Sequence, residues 1–153
     1  MASWIFQGNP KKFRINDYLS SHKIIIWGIR QEFYAKKMSI GDQVFIWRSD
    51  EKDTPSGGVV AKGKIVSLPS NYDDDAIEFW IIEPKIQPNL RVKIKLDEVR
   101  LNEKKGMLKR SQLSQDKELI NMKILSYFSQ TNYLLDEKHA KRLDKLWAEQ
   151  HGK

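Results

Sequence analysis

Trp47-Arg48-Ser49 sets a flat aromatic ring, a permanent cation and a small hydroxyl side by side where a strand opens into a loop. Such strand ends are where rigid scaffolds carry binding residues. A second signal is electrostatic. Positions 85–110 hold nine Lys or Arg against three acids, so +6 of the chain's net +7 lies in one stretch. That is the footprint of a polyanion binder, and equally of a solvated face on a basic protein. Within the stretch, 90–96 alternates apolar and basic residues. A strand there buries one face and presents Arg91, Lys93 and Lys95 on the other. Outward lysines would also suit an edge strand guarded against pairing with other chains.

Signals for catalysis are missing. There is no glycine-rich phosphate loop, nucleophile elbow or paired-carboxylate motif. His22, His139 and His151 are scattered, with no ligand-spaced pair among them. Ser49 beside Asp50 has no histidine base nearby in sequence. Asp73-Asp74-Asp75 lacks the ordered ligand spacing of a calcium loop and reads as a solvated loop. The chain is therefore expected to bind rather than catalyse, with no metal and no cofactor. It has no cysteine, which removes disulfides, thiol nucleophiles and thiolate metal sites together. No run of about 18 apolar residues could span a membrane, and the N-terminus lacks the pattern of a secretory signal. A cytoplasmic protein is expected. Its 153 residues suit one domain, 1–153, with a full core.

The elements that must position these residues centre on 38–65. Strands at 42–47 and 57–66 carry Val44, Phe45, Ile46 and Trp47, then Val59, Val60, Ile65 and Val66. A polar connection at 48–56 separates them. Before them, strands are expected at 3–7, ended by Pro10, and at 23–27, closed by Gly28. A short capped helix is expected at 16–19, and one or two helical turns at 30–37. After them, 78–82 reads as a strand stopped at Pro84. The last third reads as helical: Ser114 caps a helix over 115–128, 129–133 breaks it, and Asp136 caps a final helix. Trp147 recurs at helical spacing with Ala140 and Leu143 and is expected to pack in the core.

Taken in order, Trp4-Ile5-Phe6, Asn9-Pro10-Lys11-Lys12-Phe13, Trp27, the run from Ile40 to Ser49 and Gly57-Gly58-Val59-Val60-Ala61 resemble the EVE domain family. Ser129-Gln130-Thr131-Asn132-Tyr133 is similar to that family's late loop, without the Gly usual between the Gln and the Thr. The resemblance spans Trp4 to about Trp147. It implies an α+β, PUA-like fold, a strongly curved mixed β-sheet close to a barrel, surrounded by short helices and related to YTH and ASCH domains. It also implies a nucleic-acid-binding module that reads a flipped modified base in DNA, 5-methylcytosine or a relative of it. RNA such as tRNA is an alternative partner, and a small interaction module or enzyme an alternative role. No cutting domain is expected within a chain of this size, so any nuclease or defence-system activity is expected from a separate partner.

A modified base must leave the helix before a pocket can inspect its edges. Stacking on an aromatic wall contributes about 1–3 kcal/mol per base, while identity comes from polar groups on the edge. Trp27 and Trp47, each at a strand end, are the candidate walls, and each also suits an ordinary barrel core. Asn9, Ser49, Thr131 and Asn132 are the candidate edge contacts. Arg30 and Arg48 are candidates for the rim or a phosphate, with Arg91, Lys93 and Lys95 holding the backbone.

Overall fold

The apolar runs have almost no polar relief because both faces of the strands they form are covered. The computed structural model describes residues 1–51 and 54–150. His151 and positions 52 and 53 of the 48–56 connection lie outside them. Seven strands form one sheet: β1 (Ser3–Gly8), β2 (Ile24–Ile29), β3 (Gln43–Arg48), β4 (Gly58–Ile65), β5 (Leu90–Val99), β6 (Leu108–Lys109) and β7 (Asn132–Leu135). Their order is β2-β5-β4-β3-β1-β7, with β6 on β4. β1 runs parallel to β3, and the other pairings are antiparallel. The mixed sheet curls into a half-barrel. The β3–β4 pair sits at its middle, flanked by paired strands on both sides.

Alternate residues of one strand point to opposite faces, and here each face has its own core. Trp4, Phe6, Val44 and Ile46 lie in one, with Val60, Val92 and Ile94. Ile5, Phe45 and Trp47 lie in the other, with Val59, Leu113, Leu143 and Trp147. Helix α1 (Ile15–Ser21) contributes to the first core, and helices α2 (Arg110–Ser114), α3 (Lys123–Ser126) and α4 (Glu137–Glu149) to the second. Asp136 caps α4 by accepting the His139 N–H at 3.0 Å. Trp147 is buried as expected, under the Arg100 guanidinium at 3.9 Å. Asp42, buried at the start of β3, accepts the Trp4 indole N–H (3.0 Å) and the Ser39 N–H (2.9 Å), which fixes the corner before that strand. Gly58 has φ +147°, and a Cβ there would overlap the Leu108 carbonyl where β6 pairs.

Four expectations are corrected. β5 is no edge strand, since β2 and β4 flank it, so its lysines do not guard an open edge. Gly28 lies inside β2 rather than closing it, and the ring of Pro88 packs against it. The segment 78–82 makes a 3-10 turn (Ile77–Phe79) and one bridge, Phe13 to Trp80, instead of a strand. Ile81 and Ile82 both donate to the single Lys12 carbonyl (2.8 and 3.1 Å), so no ladder can extend. Of the helix expected over 115–128 only Lys123–Ser126 is helical; Ser114 ends the short helix Arg110–Ser114 instead of capping one, and turns join the two. Asp116 pins the turns between them: its carboxylate takes the Glu118 N–H (3.0 Å) and binds Arg142 (2.7 Å). Leu119, Met122 and Ile124 are still buried, but Ile120 points outward. Beyond it, the expected break at 129–133 runs into β7, which completes the sheet beside β1.

Candidate functional site

Parallel pairing of β1 with β3 brings their C-terminal ends level, Gly8 beside Arg48. β7 runs the other way and starts at that same end, Asn132 opposite Phe6. The end of β2 is drawn in by a clasp of two amides. The Asn132 side chain donates to the Gly28 carbonyl (3.1 Å) and accepts the N–H groups of Arg30 (2.9 Å) and Gln31 (3.3 Å). The Gln31 side chain answers by accepting the N–H groups of Thr131 (3.0 Å) and Asn132 (2.9 Å). β2 and β7 are the outermost strands of the sheet order, so these bonds tie its two margins together.

Four strand ends thus converge on one cavity of about 840 Å³, within the range of small-ligand sites, about 300–1,000 Å³. Asn9, Trp27, Arg30, Ser49 and Thr131 border it together. Trp27 is buried and meets Phe13 edge-on, with centroids 6.3 Å apart. The Asn9 side-chain oxygen accepts the Lys11 N–H at 3.0 Å, and the side-chain amide nitrogen has no protein partner among the described residues. The Ser49 hydroxyl donates only a long bond, 3.4 Å, to the Gly8 carbonyl.

Other sequence-based candidates are placed elsewhere. Trp47 touches the cavity but is 2% exposed and packs in the second core, so its indole has no free face to stack on. Arg48 is buried and binds the Asn16 side chain (3.0 Å) and the carbonyls of Leu101 (2.8 Å) and Ser56 (2.7 Å). Burial pulls its pKa below the ordinary guanidinium value. It staples β3 to its surroundings and is not free to hold a phosphate. Asn132 is fully buried and occupied by the clasp, so it reads no ligand edge. Arg91 borders the cavity, but its guanidinium is held by the Tyr72 carbonyl and Gln87 (both 2.9 Å). Lys93 lies over the Tyr72 ring at 4.6 Å and Lys95 is exposed; neither borders the cavity.

Sequence reasoning missed the aromatic wall that continues from Trp27. Phe13 and Trp80 lie 4.5 Å apart there, and Trp80 is half-buried with its indole N–H on Asp74 (2.9 Å). Lys12, Lys85 and Arg110 also border the cavity, giving six cations against three carboxylates in its lining. The available signal was the proline-punctuated apolar stretch at 77–88 with lysine among its isoleucines. Tyr18 lies at the cavity as well. Its hydroxyl donates to Asp75 (2.6 Å) and accepts the Ile26 N–H (2.8 Å). Burial first, then the Asp75 bond, raises its pKa far above the ordinary phenol value, so it stays neutral.

Two of the three consecutive aspartates are therefore acceptors for Trp80 and Tyr18. Among the described residues, no group of three or more His, Asp or Glu is arranged for a metal. Melting is expected to be unchanged by a chelator such as EDTA, and a large drop in Tm would show a structural metal. No helix among the described residues is long and apolar enough to cross a membrane.

Solved structures share this architecture. A hypothetical protein from Leishmania major superposes with a TM-score of 0.68 at 22% identity, covering 97% of this chain and 96% of that one. The human THYN1 protein, in complex with DNA containing 5-methylcytosine, gives 0.67 at 17% identity, covering 96% and 98%. The YTH domain of the Zygosaccharomyces rouxii MRB1 protein, in complex with N6-methyladenosine RNA, gives 0.57 at 12%, covering 98% and 90%. No curated protein matches this sequence. The fold is PUA-like, as these EVE and YTH structures are. The EVE domain model matches residues 2–146, and the chain belongs to the EVE domain family.

Proposed function

We propose that this protein is a nucleic-acid-binding module whose cavity receives one base turned out of its strand and discriminates a modified base. 5-Methylcytosine in DNA, or a relative of it, is the favoured target. The observation that carries this reading is a single cavity with an aromatic wall, under-used polar groups at Asn9 and Ser49, and a cationic rim. Aromatic faces hold any base, and the polar groups supply identity. The human THYN1 structure contains DNA bearing such a base, and the YTH structure a methylated RNA. The protein acts by binding alone. Any cleavage of marked DNA would come from a separate nuclease or defence-system partner.

The test is a binding panel of oligonucleotides identical in sequence and differing only in base modification, made as DNA and as RNA. Preference for one modified DNA supports the reading; equal affinity for every modification sinks it. Preference for a modified RNA would redirect it to the alternative partner. Trp80→Ala is expected to lose about 1–3 kcal/mol of affinity for the preferred strand, the usual worth of one stacking wall.

Cation substitutions separate the two basic regions. Gln at Lys12, Lys85 and Arg110 is expected to weaken modified and unmodified strands alike. The slope of log affinity against log salt should flatten by roughly 0.7–0.9 for each phosphate that is no longer neutralised. Gln at Arg91, Lys93 and Lys95 is expected to do less, because Arg91 and Lys93 are already engaged by Tyr72 and Gln87. A larger slope change from the second set would move the backbone path onto β5.

A further inference from the structure

Isolated exposed apolar side chains are ordinary, whereas a cluster at the mouth of a site calls for an occupant. Ile82 (56% exposed), Ile86 (77%) and Phe128 (62%) all border the cavity, from two loops far apart in sequence. Their backbones are anchored although their side chains are bare. The Ile82 N–H donates to the Lys12 carbonyl at 3.1 Å. Pro84 and Pro88 restrict the loop around Ile86, and Pro88 packs on Gly28 of β2. The Phe128 carbonyl accepts the Gln7 side-chain amide at 2.9 Å. Cations interleave with these apolar groups: Lys85 precedes Ile86, and the Arg110 guanidinium lies 5.5 Å above the Phe128 ring. A surface that alternates apolar projections with positive charge is complementary to a duplex, with its stacked interior and anionic edges. A second copy of this chain would bring a cationic rim against a cationic rim.

We propose that Ile82, Ile86 and Phe128 form a wedge that enters double-stranded nucleic acid where the target base leaves the stack, with Lys85 and Arg110 on the flanking phosphates. The wedge rests on the flipped-base reading and extends it: the preferred partner is a duplex rather than a strand already single. Turning a base out costs its stacking and pairing, and leaves a gap beside an orphaned partner base. Apolar side chains pushed between base steps stabilise such an opening. Anchored backbones and two prolines mean that little loop ordering is lost on insertion.

The experiment compares wild type, Ile82→Ser/Ile86→Ser and Phe128→Ser on three ligands. These are a duplex with one 5-methylcytosine paired to guanine, the same duplex with that base opposite an abasic site, and the single strand alone. All three substituted positions are exposed, and thermal melting confirms that the variants fold. Both variants are expected to lose duplex affinity by roughly ten- to a hundredfold, reflecting the opening they no longer support. Single-strand affinity should be unchanged, and the abasic duplex should be largely rescued, because its target base is already unpaired. A 2-aminopurine beside the target should brighten with wild type and stay quenched with the variants. Equal losses on single and double strands, or no loss on the duplex, would overturn the wedge. So would a concentration-dependent dimer in sedimentation that the substitutions dissolve, which would make this surface a contact between copies. Wild type that discriminates modified single strands but ignores duplexes defeats the wedge and leaves the base reading standing. Wild type that binds neither form defeats both.

Discussion

Trp47→Ala is expected to cost about 3–5 kcal/mol of folding stability, the range for truncating a buried aromatic. For a chain of this size that lowers Tm by roughly 6–20 °C. Trp47 lies with Val59, Leu108, Leu113 and Tyr133 in the core behind the sheet, and its neighbours there belong to α2, β6 and β7 as well as to β4. Truncation leaves a void that elements held from several directions cannot collapse around. Binding per folded molecule, measured below the transition, should keep its preference among modified bases, since the indole has no open face toward the cavity. Trp47→Phe fills most of the void and should lose much less stability. A Trp47→Ala protein that melts like wild type yet no longer distinguishes modified from unmodified strands would contradict this placement and return Trp47 to the ligand.

The ambiguity of Trp47 shows what was legible in the sequence and what was not. An uninterrupted apolar run such as Val44-Phe45-Ile46-Trp47 states that a strand is covered on both faces. Period two then sorts Val44 and Ile46 from Phe45 and Trp47, but nothing in the run says which face borders a cavity. Strand ends were legible through Gly8, Gly41 and the polar residues after Arg48, which point to Asn9 and Ser49; Thr131 follows from the resemblance of 129–133 to the family's late loop, and all three are found at one cavity. Arg48 was misread because its partners, Asn16, Ser56 and Leu101, are brought to it only by the closed sheet. Chemistry alone gives a buried arginine and a phosphate-binding one the same letter. The stretch 115–128 failed differently. Apolar residues at three- and four-residue spacing are also produced by successive turns over one core, and the Asp116–Arg142 ion pair that pins those turns joins residues 26 apart. At 78–82, which reads as a strand, Phe79 is buried but Ile81 and Ile82 are exposed, and Ile82 borders the cavity.

Asn132→Ala is expected to open the seam of the half-barrel. The substitution leaves the Gly28 carbonyl and the N–H groups of Arg30 and Gln31 without the side chain that satisfies all three. A buried polar group deprived of its partner costs about 1–3 kcal/mol, so a total loss of about 3–5 kcal/mol is expected once water re-enters at the Gln31 end. The effect should reach the ligand, because Arg30 and Thr131 border the cavity on either side of the clasp. Affinity for the preferred strand should fall even where the protein remains folded, in contrast with Trp47→Ala. Asn132→Asp refines the test. An aspartate can still accept both N–H groups, but when ionised it sets a buried charge against the Gly28 carbonyl instead of donating to it. The two N–H groups favour the ionised form, but complete burial and that carbonyl favour the protonated one and outweigh them, so the folded-state pKa is raised above the ordinary value of about 3.9. The fold then binds the proton more tightly than the unfolded chain, and stability falls as pH rises through that window. The deficit of Asn132→Asp against wild type should therefore be largest at neutral pH and shrink on acidification, whereas that of Asn132→Ala should not depend on pH in this way. Amide exchange gives the local reading: the Arg30 and Gln31 N–H groups should lose protection in the alanine variant while those of β3 keep theirs. Unchanged melting with both amides still protected would show that the sheet margins close without Asn132.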